Sequence, residues 1–95
     1  MKLVVSRGAS ADLERLHDFL ADKDQAAAQH AISLLVEAVE SLAIFPNRGR
    51  RSGVSNIREL IIPFGQSAYV LRYAYSAKAD EVTVLRIWHG REARK

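Results

Sequence analysis

Cysteine is absent from the 95 residues. No disulfide can form, and thiolate nucleophiles and cysteine-based metal sites are excluded, which fits a reducing cytoplasm. Long apolar runs are absent too. The longest is about four residues, Leu42 to Phe45, against the roughly 20 that a transmembrane helix needs. The N-terminus offers three apolar residues, Leu3-Val4-Val5, where a signal peptide has a longer apolar region. A cytoplasmic chain is expected. Histidine is scarce: His17, His30 and His89 are the only three, with no HxxxH or HxH spacing, so no metal site or cofactor is expected. No GxSxG elbow is present, and Gly49 and Gly53 lack the Lys-Ser/Thr of a phosphate-binding loop. There is no repeat and no low-complexity tract.

What is there is globular in composition, 48% hydrophobic and 26% charged, and long enough for a single domain over residues 1–95. The net charge of +3 conceals an asymmetry. Residues 1–47 carry four Lys/Arg against seven Asp/Glu, a net of −3. Residues 48–95 carry ten against four, a net of +6, and eight of the ten are Arg. Arginine forks suit phosphates and carboxylates, so an anionic partner is expected, either nucleic acid or an acidic protein segment. The contact candidates are Arg48, Arg50 and Arg51 in one loop, Arg58, Arg72 and Arg86 on strands, and Arg91 near the end.

Leu3 to Val5 reads as a first strand. Ser10 is a plausible N-cap for a helix to about Ala21, with Asp12 and Glu14 in its first turn. Leu13, Leu16 and Leu20 form its apolar stripe. Asp24 can cap a second helix with a stripe of Ala28, Ala31, Ile32, Leu35, Val39 and Leu42, stopped by Pro46-Asn47. Residues 47–55 read as a mobile basic loop. Three strand-like segments follow: Ile57 to Ile62, Ala68 to Tyr75 with Tyr69, Leu71, Tyr73 and Tyr75 on one face, and Glu81 to His89. In the last, Val82, Val84, Arg86 and Trp88 alternate with Thr83, Leu85 and Ile87. The expected fold is α+β, in the order β-α-α-β-β-β: an antiparallel sheet ending in a three-strand meander, with the helical hairpin on one face. The tyrosines are expected in the core, not as base-stacking platforms, and His17 and His30 on helix surfaces.

One chemical constellation remains. Metal-free RNA cleavage needs a base, an acid and a cation on the phosphate. Histidine is the residue type suited to acid or base work near neutral pH, which makes His89 the candidate, and Arg91, Arg72 or Arg58 can hold a phosphate. The alternative is that His89 ends a strand beside Trp88 and the arginines are solvated or paired.

Arg58-Glu59-Leu60, Tyr69 to Tyr73, and Val82 to Arg91 closing in His89-Gly90-Arg91 together resemble the toxins of the RelE/ParE superfamily. The preceding helical hairpin, ending in Phe45-Pro46 and a Gly/Arg-rich loop, is similar as well. The resemblance covers nearly the whole chain. It implies a toxin of a bacterial type II toxin–antitoxin module, neutralised by a cognate antitoxin whose acidic tail folds on binding. RelE-like members cut mRNA on the ribosome; ParE-like members inhibit DNA gyrase. Arg91 matches an arginine of the RelE arm. Val70 stands where that arm has a phosphate-binding Arg, and no Tyr follows Arg91 to stack on a base. The resemblance therefore points to the ParE-like arm and its gyrase target. The alternative is a ribosome-dependent endoribonuclease built on His89, Arg91 and Arg72. A basic module for double-stranded RNA fits less well, because it runs helix, three strands, helix.

Overall fold

The computed structural model describes residues 1–92. Its elements are β1 (Lys2–Val5), α1 (Arg7–Ala21), α2 (Gln25–Ser41), β2 (Arg50–Arg51), β3 (Ile57–Phe64), β4 (Ser67–Ser76) and β5 (Glu81–His89). The α+β class and the element order agree with expectation. The five strands lie in the order β1-β5-β4-β3-β2. The pairs β2–β3, β3–β4 and β4–β5 are antiparallel. At the β1 edge the expected antiparallel pairing is corrected: β1 runs parallel to β5, Leu3 opposite Val82 and Val5 opposite Val84. A parallel pair needs a long crossover, and here the helical hairpin and the meander together supply it.

The hairpin covers one face of the sheet. Leu16, Leu35, Val39 and Leu42 pack against Leu60, Ile62, Tyr69, Leu71, Tyr73, Val82, Val84 and Ile87, with Leu13, Leu20 and Ile32 partly buried at its margin. Asp24 caps α2 as expected, accepting from the Ala26 and Ala27 N–H groups at 3.0 and 3.2 Å. The helix ends earlier than Pro46: Leu42 is its C-cap. The α1 cap is Ser6, not Ser10. Ser6 accepts from the Ala9 N–H at 3.0 Å and donates to the Leu85 carbonyl at 2.9 Å. Starting at Arg7, the helix has no acid in its first turn, so Asp12 serves another purpose.

Two further departures shape the surface. The segment expected to be a mobile loop contains β2, whose Arg50 and Arg51 pair with Glu59 and Arg58. And β5 carries a bulge: Arg72 faces Arg86, but the next residue, Tyr73, faces Val84. The extra residue, Leu85, breaks the strict alternation. Val82, Val84 and Ile87 therefore turn inward, each 0% exposed, while Arg86 and Trp88 turn outward. A two-residue hairpin joins β3 to β4, with Gly65 at φ +60° supplying the left-handed position such turns require.

Tyr73 ties the hairpin's end to the sheet. Its buried hydroxyl accepts from the Gly49 N–H at 2.9 Å and donates to the Pro46 carbonyl at 2.7 Å. Gly49 is required there, because a Cβ would lie 2.8 Å from Tyr73 Cε1. Tyr73→Phe is expected to cost about 1–3 kcal/mol, since it strands a buried N–H. Denaturant unfolding at an unchanged midpoint would show that the hydroxyl is not a structural tie.

Candidate functional site

The sheet face away from the helices is where the strand register gathers chemistry. Residues opposite one another on adjacent strands share a face. Ile61, Val70 and Trp88 form one cross-strand row. The next row runs Arg50, Glu59, Arg72, Arg86 across β2 to β5. Glu59 accepts from Arg72 Nε and Nη2 at 3.1 and 2.7 Å, and Arg50 approaches its other oxygen at 3.6 Å. The Arg72 guanidinium also lies over the Trp88 ring, 5.0 Å from its centroid, a cation–π contact. An apolar strip of Ile61, Val70 and Trp88 thus borders a charged one, a surface suited to a protein partner that brings both apolar and acidic groups.

Arg86 leaves this row at the sheet edge. β1 ends at Val5, so among the described residues no strand lies beside the β5 edge beyond Val84. α1 takes over with side chains. The Asp12 carboxylate accepts from the Ile87 N–H at 2.8 Å, as a strand carbonyl would. It also accepts from Arg86 Nε at 2.8 Å and Nη2 at 3.1 Å, and from Arg15 Nη2 at 3.3 Å. Arg15 reaches on to Glu92 at 2.6 Å. Burial pushes the Asp12 pKa up, but the hydrogen bonds from Arg86, Ile87 and Arg15 together outweigh it and hold the carboxyl below its ordinary value. The bond to Glu92 raises the Arg15 pKa, and the bond to Asp12 raises that of Arg86.

Of the seven arginine candidates, the register brings Arg50, Arg72 and Arg86 into one row. Arg51 and Arg58 are opposite each other and share the Tyr73 face, on the helix side. Arg48 lies past α2, donating to Ser41 Oγ at 2.7 Å. Arg91 is exposed beyond β5. The trio His89, Arg91 and Arg72 is not brought together. His89 is opposite Tyr69, on the core side, and its ring meets the Tyr69 ring edge-on at 5.3 Å. Arg72 is on the other face. His89 Nδ1 accepts the Arg91 N–H at 3.2 Å, which leaves the proton of a neutral ring on Nε2. Tyr69, 2% exposed, has its pKa raised by burial and then by the Glu92 charge. Tyr69 and Tyr73 are core residues, as expected. His30 is exposed at the helix surface, edge-on to Phe64 at 5.6 Å.

Sequence reasoning missed Asp12, Arg15 and Glu59. Glu59 left a signal: it is the only carboxylate between Arg48 and Lys78, so arginines on neighbouring strands have it to compete for. Asp12 left none, because its partner Ile87 is 75 residues away in sequence. Among the described residues, no group of three or more His, Asp or Glu could hold a metal ion, and no helix is long and apolar enough to cross a membrane.

Comparison with known proteins supplies the rest. The family model described as the ParE toxin of the type II toxin–antitoxin system parDE matches residues 3–94. The Caulobacter vibrioides protein named Toxin RelE1 is 46% identical over 92 residues, covering 97% of this chain and 96% of its own. Toxin RelE3 of the same organism is 38% identical over 86 residues, covering 90% of each. A solved structure titled as the chromosomal ParDE toxin–antitoxin system from P. aeruginosa superposes with a TM-score of 0.77 at 28% identity, covering 94% of this chain and 95% of that one.

Proposed function

Since this chain belongs to the ParE toxin family of type II toxin–antitoxin systems, we propose that it inhibits growth by poisoning DNA gyrase in the cytoplasm, and that a cognate antitoxin neutralises it. The observation that carries the choice of target is the separation of His89 from Arg72 by the thickness of the sheet. An acid–base group and a phosphate cation must converge on one reacting centre, and here they face opposite ways. Arg72 is engaged by Glu59 and Trp88, and Val70, an apolar residue, lies in the adjoining row. The open face is built for contact.

The alternative, a ribosome-dependent endoribonuclease, draws support from the RelE names of the two Caulobacter relatives. It would require Arg91 and His89 to act without Arg72.

The antitoxin reading rests on an open strand edge. β2 pairs only with Arg58 and Glu59, so among the described residues no strand covers the outer edge of β3 from Leu60 to Phe64. Ile61 beside it is 40% exposed, and Ile44 and Phe45 at the end of the hairpin are 72% and 62% exposed. An extended peptide can add to such an edge through main-chain hydrogen bonds, with the basic half of the chain attracting an acidic tail.

Added to DNA gyrase, the purified protein is expected to block supercoiling, and the antitoxin to restore it. Arg91→Ala and His89→Ala should lower potency in a graded way, not by the ~10²–10⁴-fold that follows loss of an acid–base group. A collapse of that size in either variant, with the fold intact, would count against a contact mechanism.

A further inference from the structure

The helix side of the sheet carries a second arginine pair that the gyrase reading does not use. β2 and β3 set Arg51 directly opposite Arg58. Side chains so paired stand about 4.5–5.5 Å apart at Cβ, where like charges repel. The other cross-strand arginine pair, Arg72 with Arg86, is compensated by Glu59 and Asp12. Among the described residues, neither Arg51 nor Arg58 forms an ion pair.

Both arginines line a cleft of about 470 Å³ between residues 52–56 and the end of β4. Among the described residues, no Asp or Glu lines it. Arg58 is oriented by the Gly49 carbonyl at 2.7 Å and the Asn47 carbonyl at 3.4 Å, both taken by Nη1. Among the described residues, neither its Nε nor its Nη2 has a partner, so both can meet a ligand. Arg51 is exposed. The rest of the wall includes Asn56, Val54, Ile57 and Tyr75.

We propose that this cleft binds a phosphate monoester carried on a flat or apolar body, a ligand of the nucleotide class. Two guanidinium groups on one face match a dianion with three acceptor oxygens, whereas one fork already satisfies a carboxylate. The anion would also remove the repulsion between the paired arginines. Bare phosphate would fill little of the cleft, whose volume falls in the range of about 300–1,000 Å³ typical of small-molecule sites. Val54 and Tyr75 supply a surface on which a base can lie.

The test is calorimetric titration of the full chain with adenosine 5′-monophosphate, adenosine, inorganic phosphate and acetate. The monophosphate is expected to bind best, phosphate more weakly, and adenosine and acetate at least about tenfold more weakly than the monophosphate. Arg51→Gln should lower monophosphate affinity about tenfold, and Lys23→Gln, on the turn between the helices, should leave it unchanged. Unchanged affinity in folded Arg51→Gln would overturn the site. Acetate binding as tightly as phosphate would overturn the phosphate class. Phosphate binding as tightly as the monophosphate would overturn the role of the apolar wall. Gyrase inhibition is read separately, so neither proposal stands or falls with the other.

Discussion

Leu35→Ala is expected to destabilise the protein by about 2–5 kcal/mol, the range for removing a large aliphatic side chain from a core. Leu35 is 0% exposed at the middle of α2, inside the cluster that joins both helices to the sheet. The flanking residues Ala31 and Ala38 are small and buried, so little side-chain volume nearby can move into the void. Denaturant unfolding within about 0.5 kcal/mol of wild type would mean that the hairpin packs through a different face.

Asp12→Ala is expected to cost about 2–4 kcal/mol, because it leaves the buried Ile87 N–H without an acceptor and removes the carboxylate shared by Arg86 and Arg15. Asp12→Asn should cost less, since an amide oxygen can still accept from Ile87. The pH dependence follows from the direction of the Asp12 shift. Its carboxyl is held below the ordinary 3.8, so the folded state favours the ionised form. That stabilisation is complete at neutral pH and is lost as pH falls below about 4 and through the folded value. The stability gap between wild type and Asp12→Asn should therefore narrow on acidification in that range. A gap that stayed constant to pH 2 would show that the charge of Asp12 contributes nothing.

Which parts of this architecture the residues announce follows from how local their causes are. The apolar stripes of both helices, the Asp24 cap and the tyrosine alternation on β4 have causes within a few residues, and all are where periodicity puts them. The Ser6 cap depends on Leu85, 79 residues away, so local reading favours Ser10 after Gly8. The bulge at Leu85 is set by pairing with β4 and has no local signature, yet it decides that Ile87 is buried and Arg86 is not. β2 is two arginines whose strand character comes from Glu59 and Arg58 across the ladder. The parallel β1–β5 pair is a matter of where the chain returns, which strand propensity does not encode. The seven arginines from Arg48 to Arg91 were legible as candidates and Arg15 was not; their division between two faces was hidden, because it depends on that register.

The proposed action of this toxin is contact with gyrase, not cleavage of RNA. One parallel assay tests it most directly: purified protein added to a DNA gyrase supercoiling reaction and to ribosomes programmed with mRNA in the A site. Blocked supercoiling and intact mRNA are the expected results. Codon-specific cleavage that disappears in His89→Ala, with gyrase unaffected, would contradict the gyrase reading.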